Sequence, residues 1–173
     1  MSASPDPALV NIKKLGWMHW DMLVRGLYSA LNQARPYSGK SKWPLQIVGI
    51  ARGGVIAASQ LSHLLDVPYV GTIHTHNISI ADGMGTKKVI DARQMTDMEV
   101  INTLFVDDIV DTGYTIEMLT KVYPQAKFVS PTGKVKGCSA VNKFLYVLPT
   151  LIVDDEVWLE FPWESTMPFR GDV

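Results

Sequence analysis

Met22, Leu23, Leu27, Ala30, Leu31 and Ala34 recur at helical spacing, which predicts an amphipathic helix from about His19 to Gln33, closed by Pro36. A polar connector, Tyr37 to Lys42, follows. Leu45 to Ala51 is a nearly unbroken apolar run, the pattern of a strand buried on both faces, and it stops at Arg52-Gly53-Gly54. Ala57, Leu61 and Leu64 then mark the inward side of a helix from Val55 to Leu65. Val67 to Thr75 reads as the next strand, and a further one runs from Ile101 to Val106. Ile116, Leu119 and Tyr123 form the stripe of a helix that ends before Pro124, Ala126 to Ser130 is a strand, and Pro131 to Lys134 is a turn. Strands alternating with helices predict an α/β fold with a doubly wound, mainly parallel sheet and right-handed crossovers.

Two stretches break this rhythm. From about His76 to Thr96 no periodicity is visible, and connections beyond about 15 residues inside a domain usually serve a function. Gly83 and Gly85 could act as hinges there, and Lys87, Lys88 and Arg93 as cations, so the segment is expected to be a lid over an anionic ligand. From Phe144 onward the chain turns to short β-like runs with Trp158, Phe161, Trp163 and Phe169. The expected division is an N-terminal extension over 1–18, an α/β core over 19–143 that includes the lid at 76–96, and a small C-terminal hood over 144–173.

Composition narrows the partners. A chain of 173 residues, 47% hydrophobic and 19% charged, is the size of one globular domain. The net charge of -1 provides no global footprint for nucleic acid. Cys138 stands alone, so no internal disulfide can form, and no apolar run approaches the roughly 20 residues that span a bilayer. The start, Met1 to Pro7, lacks the basic and apolar regions of a signal peptide, and a cytoplasmic location is expected. His74 and His76 share a strand face, but without a third ligand they are expected to be structural.

The chemistry concentrates in Leu104 to Thr115, where an apolar strand meets Asp107-Asp108 and then Asp111-Thr112-Gly113-Tyr114-Thr115 at a helix start. Backbone N–H groups and hydroxyls from Thr112 to Thr115 suit a phosphate monoester, because a helix N-terminus attracts anions. Adjacent carboxylates at a strand end suit sugar hydroxyls and a Mg²⁺ ion, which keeps waters and takes few protein ligands. Gly53-Gly54 allows close backbone approach, and Arg52 offers a forked cation. The Walker loop and the dinucleotide-binding glycine fingerprint are both missing from the sequence.

Val106 to Thr115 resembles the 5-phosphoribosyl pyrophosphate (PRPP) motif of the type I phosphoribosyltransferases. Trp20-Asp21-Met22-Leu23, Arg52-Gly53-Gly54, Tyr123 to Phe128 and Trp158 to Glu164 extend the resemblance toward the bacterial xanthine-guanine enzymes of that family. It implies the type I phosphoribosyltransferase fold and a Mg²⁺-dependent, homo-oligomeric (dimeric or tetrameric) purine salvage enzyme, which passes a phosphoribosyl group from PRPP to a 6-oxopurine and releases pyrophosphate. On the matching positions, Arg52, Gly53 and Gly54 would meet the pyrophosphate, and Asp107 and Asp108 the ribose hydroxyls and the metal. Thr112, Gly113, Tyr114 and Thr115 would hold the 5'-phosphate. Asp111 would lie at N7 of the base, Lys134 at O6, Trp158 on its face, and backbone near Leu159 at C2. Two alternatives stay open: a transferase for another base, and a nucleotide-sensing regulator of the same fold. The regulator would need a basic face, for which Lys13, Lys14, Arg25, Lys40 and Lys42 are the candidates.

Overall fold

The computed structural model describes residues 11–34, 43–68, 70–79, 86–91 and 96–164. In chain order the elements are β1 (Asn11–Lys14), α1 (Trp17–Ala34), β2 (Gln46–Ala51), α2 (Gly53–Leu65), β3 (Val70–Ser79), β4 (Thr86–Asp91), α3 (Asp97–Ile101) and β5 (Thr103–Val106). They continue as β6 (Ile109–Val110), α4 (Tyr114–Val122), β7 (Lys127–Val129), β8 (Thr132–Lys134), α5 (Val135–Val141), β9 (Leu151–Val153) and β10 (Val157–Glu160).

The central sheet has the order β4-β3-β2-β5-β7, and all its strands are parallel except the edge strand β4. Side chains alternate between its faces, and the two faces feed separate cores. Ile47, Leu104, Val106 and Val129 pack with Trp20, Val24, Leu27, Leu31, Ala57 and Leu61 of α1 and α2. Val48, Ile50, Phe105 and Phe128 pack on the other side with Ile116, Leu119, Cys138 and Val141 of α4 and α5. Phe105 and Phe128 are fully enclosed, and side chains of this kind stabilise the fold by about 1.5–3 kcal/mol each. Burial on both faces explains the continuous apolar runs of β2 and β5, and it is the doubly wound α/β arrangement the pattern predicts.

Four segments differ from the expectation. The stretch read as irregular from His76 to Thr96 contains the end of β3 and all of β4, paired antiparallel from His74 opposite Asp91 to Ser79 opposite Thr86. A lysine-bearing edge strand shows no apolar run, which hid it. Within the same stretch Thr96 opens α3 with a capping box: its backbone N–H donates to Glu99 Oε2 at 2.8 Å, and its hydroxyl accepts from the Glu99 N–H at 3.3 Å. Pro131 to Lys134 is not a free turn. Thr132–Lys134 is β8, the middle of a parallel sheet ordered β6-β8-β9, and it runs directly into α5. Finally, Asn11–Lys14, read from sequence as part of an extension, is a strand that pairs in parallel with β10 near the other end of the described chain.

Aromatic rings join the segment after β10 to α1. Trp20, completely buried on α1, meets Phe161 and Trp163 edge-on at centroid distances of 5.7 and 4.7 Å, and those two rings stack on each other at 4.9 Å. Trp43 donates from its indole N–H to the Ile101 carbonyl at 2.8 Å. No helix among the described residues is long and apolar enough to cross a membrane.

Candidate functional site

The carboxyl ends of β2 and β5 open into a cavity of about 1150 Å³, where ligands bind in open parallel sheets. Its floor is made by two strand-to-helix turns. In the first, β2 passes through Arg52 into α2, and the Ala51–Arg52 peptide is cis. Gly54 is dictated by backbone crowding, since a Cβ there would lie 2.4 Å from the Val106 carbonyl oxygen and 2.9 Å from the Asp107 Cα, whereas a Cβ on Gly53 would meet the Asp108 carboxylate. Only bare backbone can bring α2 this close to the end of β5.

The second turn runs from Asp107 to Thr115. Asp107 Oδ1 accepts from the Asp108 N–H, and Asp108 Oδ1 accepts from the Ile109 N–H, each at 3.0 Å. The Thr132 hydroxyl donates to the Asp108 carbonyl at 2.7 Å and ties the turn to β8. Burial pushes the Asp108 carboxyl above the ordinary carboxylate range, bonding to Asp107 and to backbone opposes this, and the negative charge of Glu164 adds to the rise. Gly113 adopts φ 83°, a left-handed conformation natural to glycine, and it starts α4 without any side-chain cap. The Tyr114 N–H donates to the Thr112 hydroxyl at 3.3 Å. An uncapped helix start preceded by a glycine in this conformation is suited to an anion.

Above the acids, Lys134 Nζ meets Asp111 Oδ1 at 2.8 Å. Lys134 is the last residue of β8, and Gly137, one helical turn on, presses the start of α5 against the Asp111 backbone. The Asp111 side chain is 54% exposed and faces the cavity, whereas that of Lys134 is 14% exposed and reaches the site through its partner. The roof is β10 with β1: Trp158, 56% exposed, and Glu160 line the cavity from one strand, Ile12 and Lys14 from the other.

Of the residues singled out from sequence, Arg52, Gly53, Asp107, Asp108, Asp111, Thr112, Gly113, Tyr114, Thr115 and Trp158 line this one cavity. Gly54 and Lys134 stand immediately behind its wall, and the Leu159 side chain turns away into the core. Lys87 and Lys88 stand on β4 opposite Ile78 and Asn77, but their side chains and the whole of Arg93 lie outside the described residues. Ile12, Lys14, Glu160, Trp163 and Glu164 also line the cavity and were not anticipated. For Glu160 a signal existed, since it lies two residues beyond Trp158 on one strand and shares its face. For Ile12 and Lys14 none did.

Among the described residues no group of three or more His, Cys, Asp or Glu side chains forms a metal cage. The donor set nevertheless fits Mg²⁺, which binds through one or two carboxylates together with substrate phosphates. Asp107 and Asp108 would supply them, and the cost of burying Asp108 beside Glu164 is what a divalent cation would offset.

Residues 18–165 match the phosphoribosyl transferase domain. The chain is similar to the xanthine-guanine phosphoribosyltransferase of Cereibacter sphaeroides, 33% identical over 161 residues that cover 88% of this chain and 90% of that one. It is also 32% identical to the enzyme of the same name from Roseobacter denitrificans, with 98% of each chain covered. Among solved structures, a purine phosphoribosyltransferase from Pyrococcus horikoshii superposes with a TM-score of 0.64 at 29% identity, covering 88% of this chain and 94% of the other.

Proposed function

Because the chain belongs to the type I phosphoribosyltransferase family and is related to its bacterial xanthine-guanine members, we propose that it transfers the 5-phosphoribosyl group of PRPP to a 6-oxopurine and releases pyrophosphate. The observation that carries this reading is the convergence of an uncapped helix start, adjacent carboxylates, the Arg52-Gly53 turn and an exposed tryptophan on one cavity.

In this reading Thr112, Gly113, Tyr114 and Thr115 hold the 5'-phosphate through backbone N–H groups and hydroxyls at the positive end of α4. Arg52, Gly53 and Gly54 hold the pyrophosphate, with the guanidinium matched to its oxygens. Asp107 and Asp108 take the ribose hydroxyls and would hold Mg²⁺, which when bound neutralises charge on the leaving pyrophosphate.

The base site follows from the Asp111–Lys134 pair. N7 and O6 lie on one edge of a 6-oxopurine, and a carboxylate beside an ammonium at 2.8 Å matches an N–H donor beside a carbonyl acceptor. Asp111 accepts the proton leaving N7 as the base attacks C1 of the ribose, and Lys134 stabilises the charge that gathers on O6. Holding both in one ion pair fixes their spacing before substrate arrives. Trp158 stacks on the base, and the main chain at Leu159 faces its C2 side.

The test is to incubate the protein with PRPP and Mg²⁺ and each of xanthine, guanine, hypoxanthine, adenine, uracil and orotate, following pyrophosphate release. Turnover of one or more 6-oxopurines, with little for the other bases, is the expected result. No turnover of any 6-oxopurine refutes the reading.

A further inference from the structure

The roof of the cavity contains residues that the reading above leaves without a role. In the parallel pair β1 and β10, Ile12 is the register partner of Trp158 and Lys14 that of Glu160. Alternate residues of a strand share a face, so these four side chains form one patch, and all four line the cavity. Leu159, between the two on β10, points the other way and is buried in the core.

The patch has two ends of different chemistry. Ile12 and Trp158 are 50% and 56% exposed, an apolar pair open to the cavity where a flat ring can be covered. At the other end Lys14 Nζ lies 3.3 Å from Glu160 Oε2, with the Glu160 side chain 20% exposed and that of Lys14 73% exposed. The glutamate is held in the wall, and the lysine leaves donors facing the cavity.

The geometry points to the first strand as part of the base-binding site, with Ile12 widening the Trp158 platform and Lys14 a specificity-determining residue that donates to a carbonyl at C2 of the base. This rests on the chain's being a 6-oxopurine transferase. When the N7 and O6 edge faces Asp111 and Lys134, the C2 edge is left to the roof. Hypoxanthine has only hydrogen at C2, xanthine a carbonyl. Lys14 therefore favours xanthine, because a site that bonds a polar group discriminates against the analogue lacking it.

The experiment measures KM and kcat for xanthine, hypoxanthine and PRPP in the parent enzyme, Lys14→Met and Ile12→Ser. Both side chains are half exposed or more, so neither variant is expected to lose its fold, and thermal melts verify this. Lys14→Met should raise the KM for xanthine about tenfold and leave hypoxanthine and PRPP unchanged. Ile12→Ser should raise the KM of both bases several-fold and leave PRPP unchanged. An unaltered xanthine-to-hypoxanthine ratio in Lys14→Met, or a parent enzyme that uses hypoxanthine but not xanthine, overturns the assignment of Lys14. Equal changes for bases and PRPP would make the strand a general support and overturn the inference while the proposed activity stands. A parent enzyme without turnover of any 6-oxopurine overturns both.

Discussion

Gly137→Ala tests whether α5 sets the position of Asp111. A methyl group on Gly137 would come 2.0 Å from the Asp111 carbonyl oxygen, 2.7 Å from its carbon and 2.8 Å from the Val110 oxygen. Reaching the ordinary 3.4 Å contact requires about 1.4 Å of separation between α5 and the 110–111 backbone. Neither side yields cheaply. Ile109–Val110 is bound in a sheet with β8, and the start of α5 is fixed where the Lys136 N–H donates to Asp155 Oδ1 at 3.0 Å. Overpacking of this kind costs about 1–3 kcal/mol, and the better helix propensity of alanine returns about 0.5–1 kcal/mol. With the clash against backbone, a net loss of about 2 kcal/mol is expected, which lowers the unfolding midpoint by about 4–8 °C in a domain of this size. If the displacement is shared, Asp111 moves by somewhat less than about 1 Å, and misplacement on that scale costs up to about 100-fold in kcat/KM. Thermal melts and steady-state kinetics with PRPP and a 6-oxopurine provide the readings. Gly71→Ala is the control, since its Cβ would meet only Val48 Cγ2 at 3.4 Å. A Gly137→Ala protein with the parental midpoint and kcat/KM within about twofold of parent would refute the argument that this contact positions the acid.

Asp111→Asn should lower kcat by about 10²–10⁴-fold while the KM for PRPP changes little, and unchanged turnover would remove it as the base. Asp108→Asn should raise the unfolding midpoint at neutral pH and weaken PRPP binding. The Asp108 pKa is raised in the folded state, so its stabilising contribution is complete below the unfolded value of 3.8 and is lost as pH rises through the folded one. Melts across that window should show the variant's advantage growing with pH, and a constant difference would contradict it. Asp155→Ala should lower the midpoint at neutral pH and Asp155→Asn less so, because the amide oxygen can still accept from the Lys136 N–H. Asp155 is held below its ordinary pKa first by that backbone bond, so its contribution is present above 3.8 and disappears as pH falls through the lowered value, where the alanine variant should converge on the parent.

The sequence by itself determined the parallel strands of the central sheet and the acidic loop. Residues buried on both faces must be apolar without interruption, and this made β2 and β5 legible at Ile47 to Ile50 and Leu104 to Val106. Close backbone approach made Gly53 and Gly54 legible as turn glycines, and they now stand against Asp108 and Val106. Local signals of this kind are written within a few residues of chain. Tertiary structure alone decided what those residues face. Lys134 could be placed near a sheet edge from its turn-like surroundings, but its pairing with Asp111 at 2.8 Å depends on β8 entering a sheet between β6 and β9. Gly137 gave no turn signal, because its reason for being glycine is the carbonyl of a residue 26 positions away. Ile12 and Lys14 carry no pattern at all, since a four-residue strand at the start of the chain becomes part of the cavity only by pairing with Trp158 and Glu160 near its end. Periodicity reports which face of an element is buried; which distant element lies against that face is settled by packing, and the cavity roof exists only there.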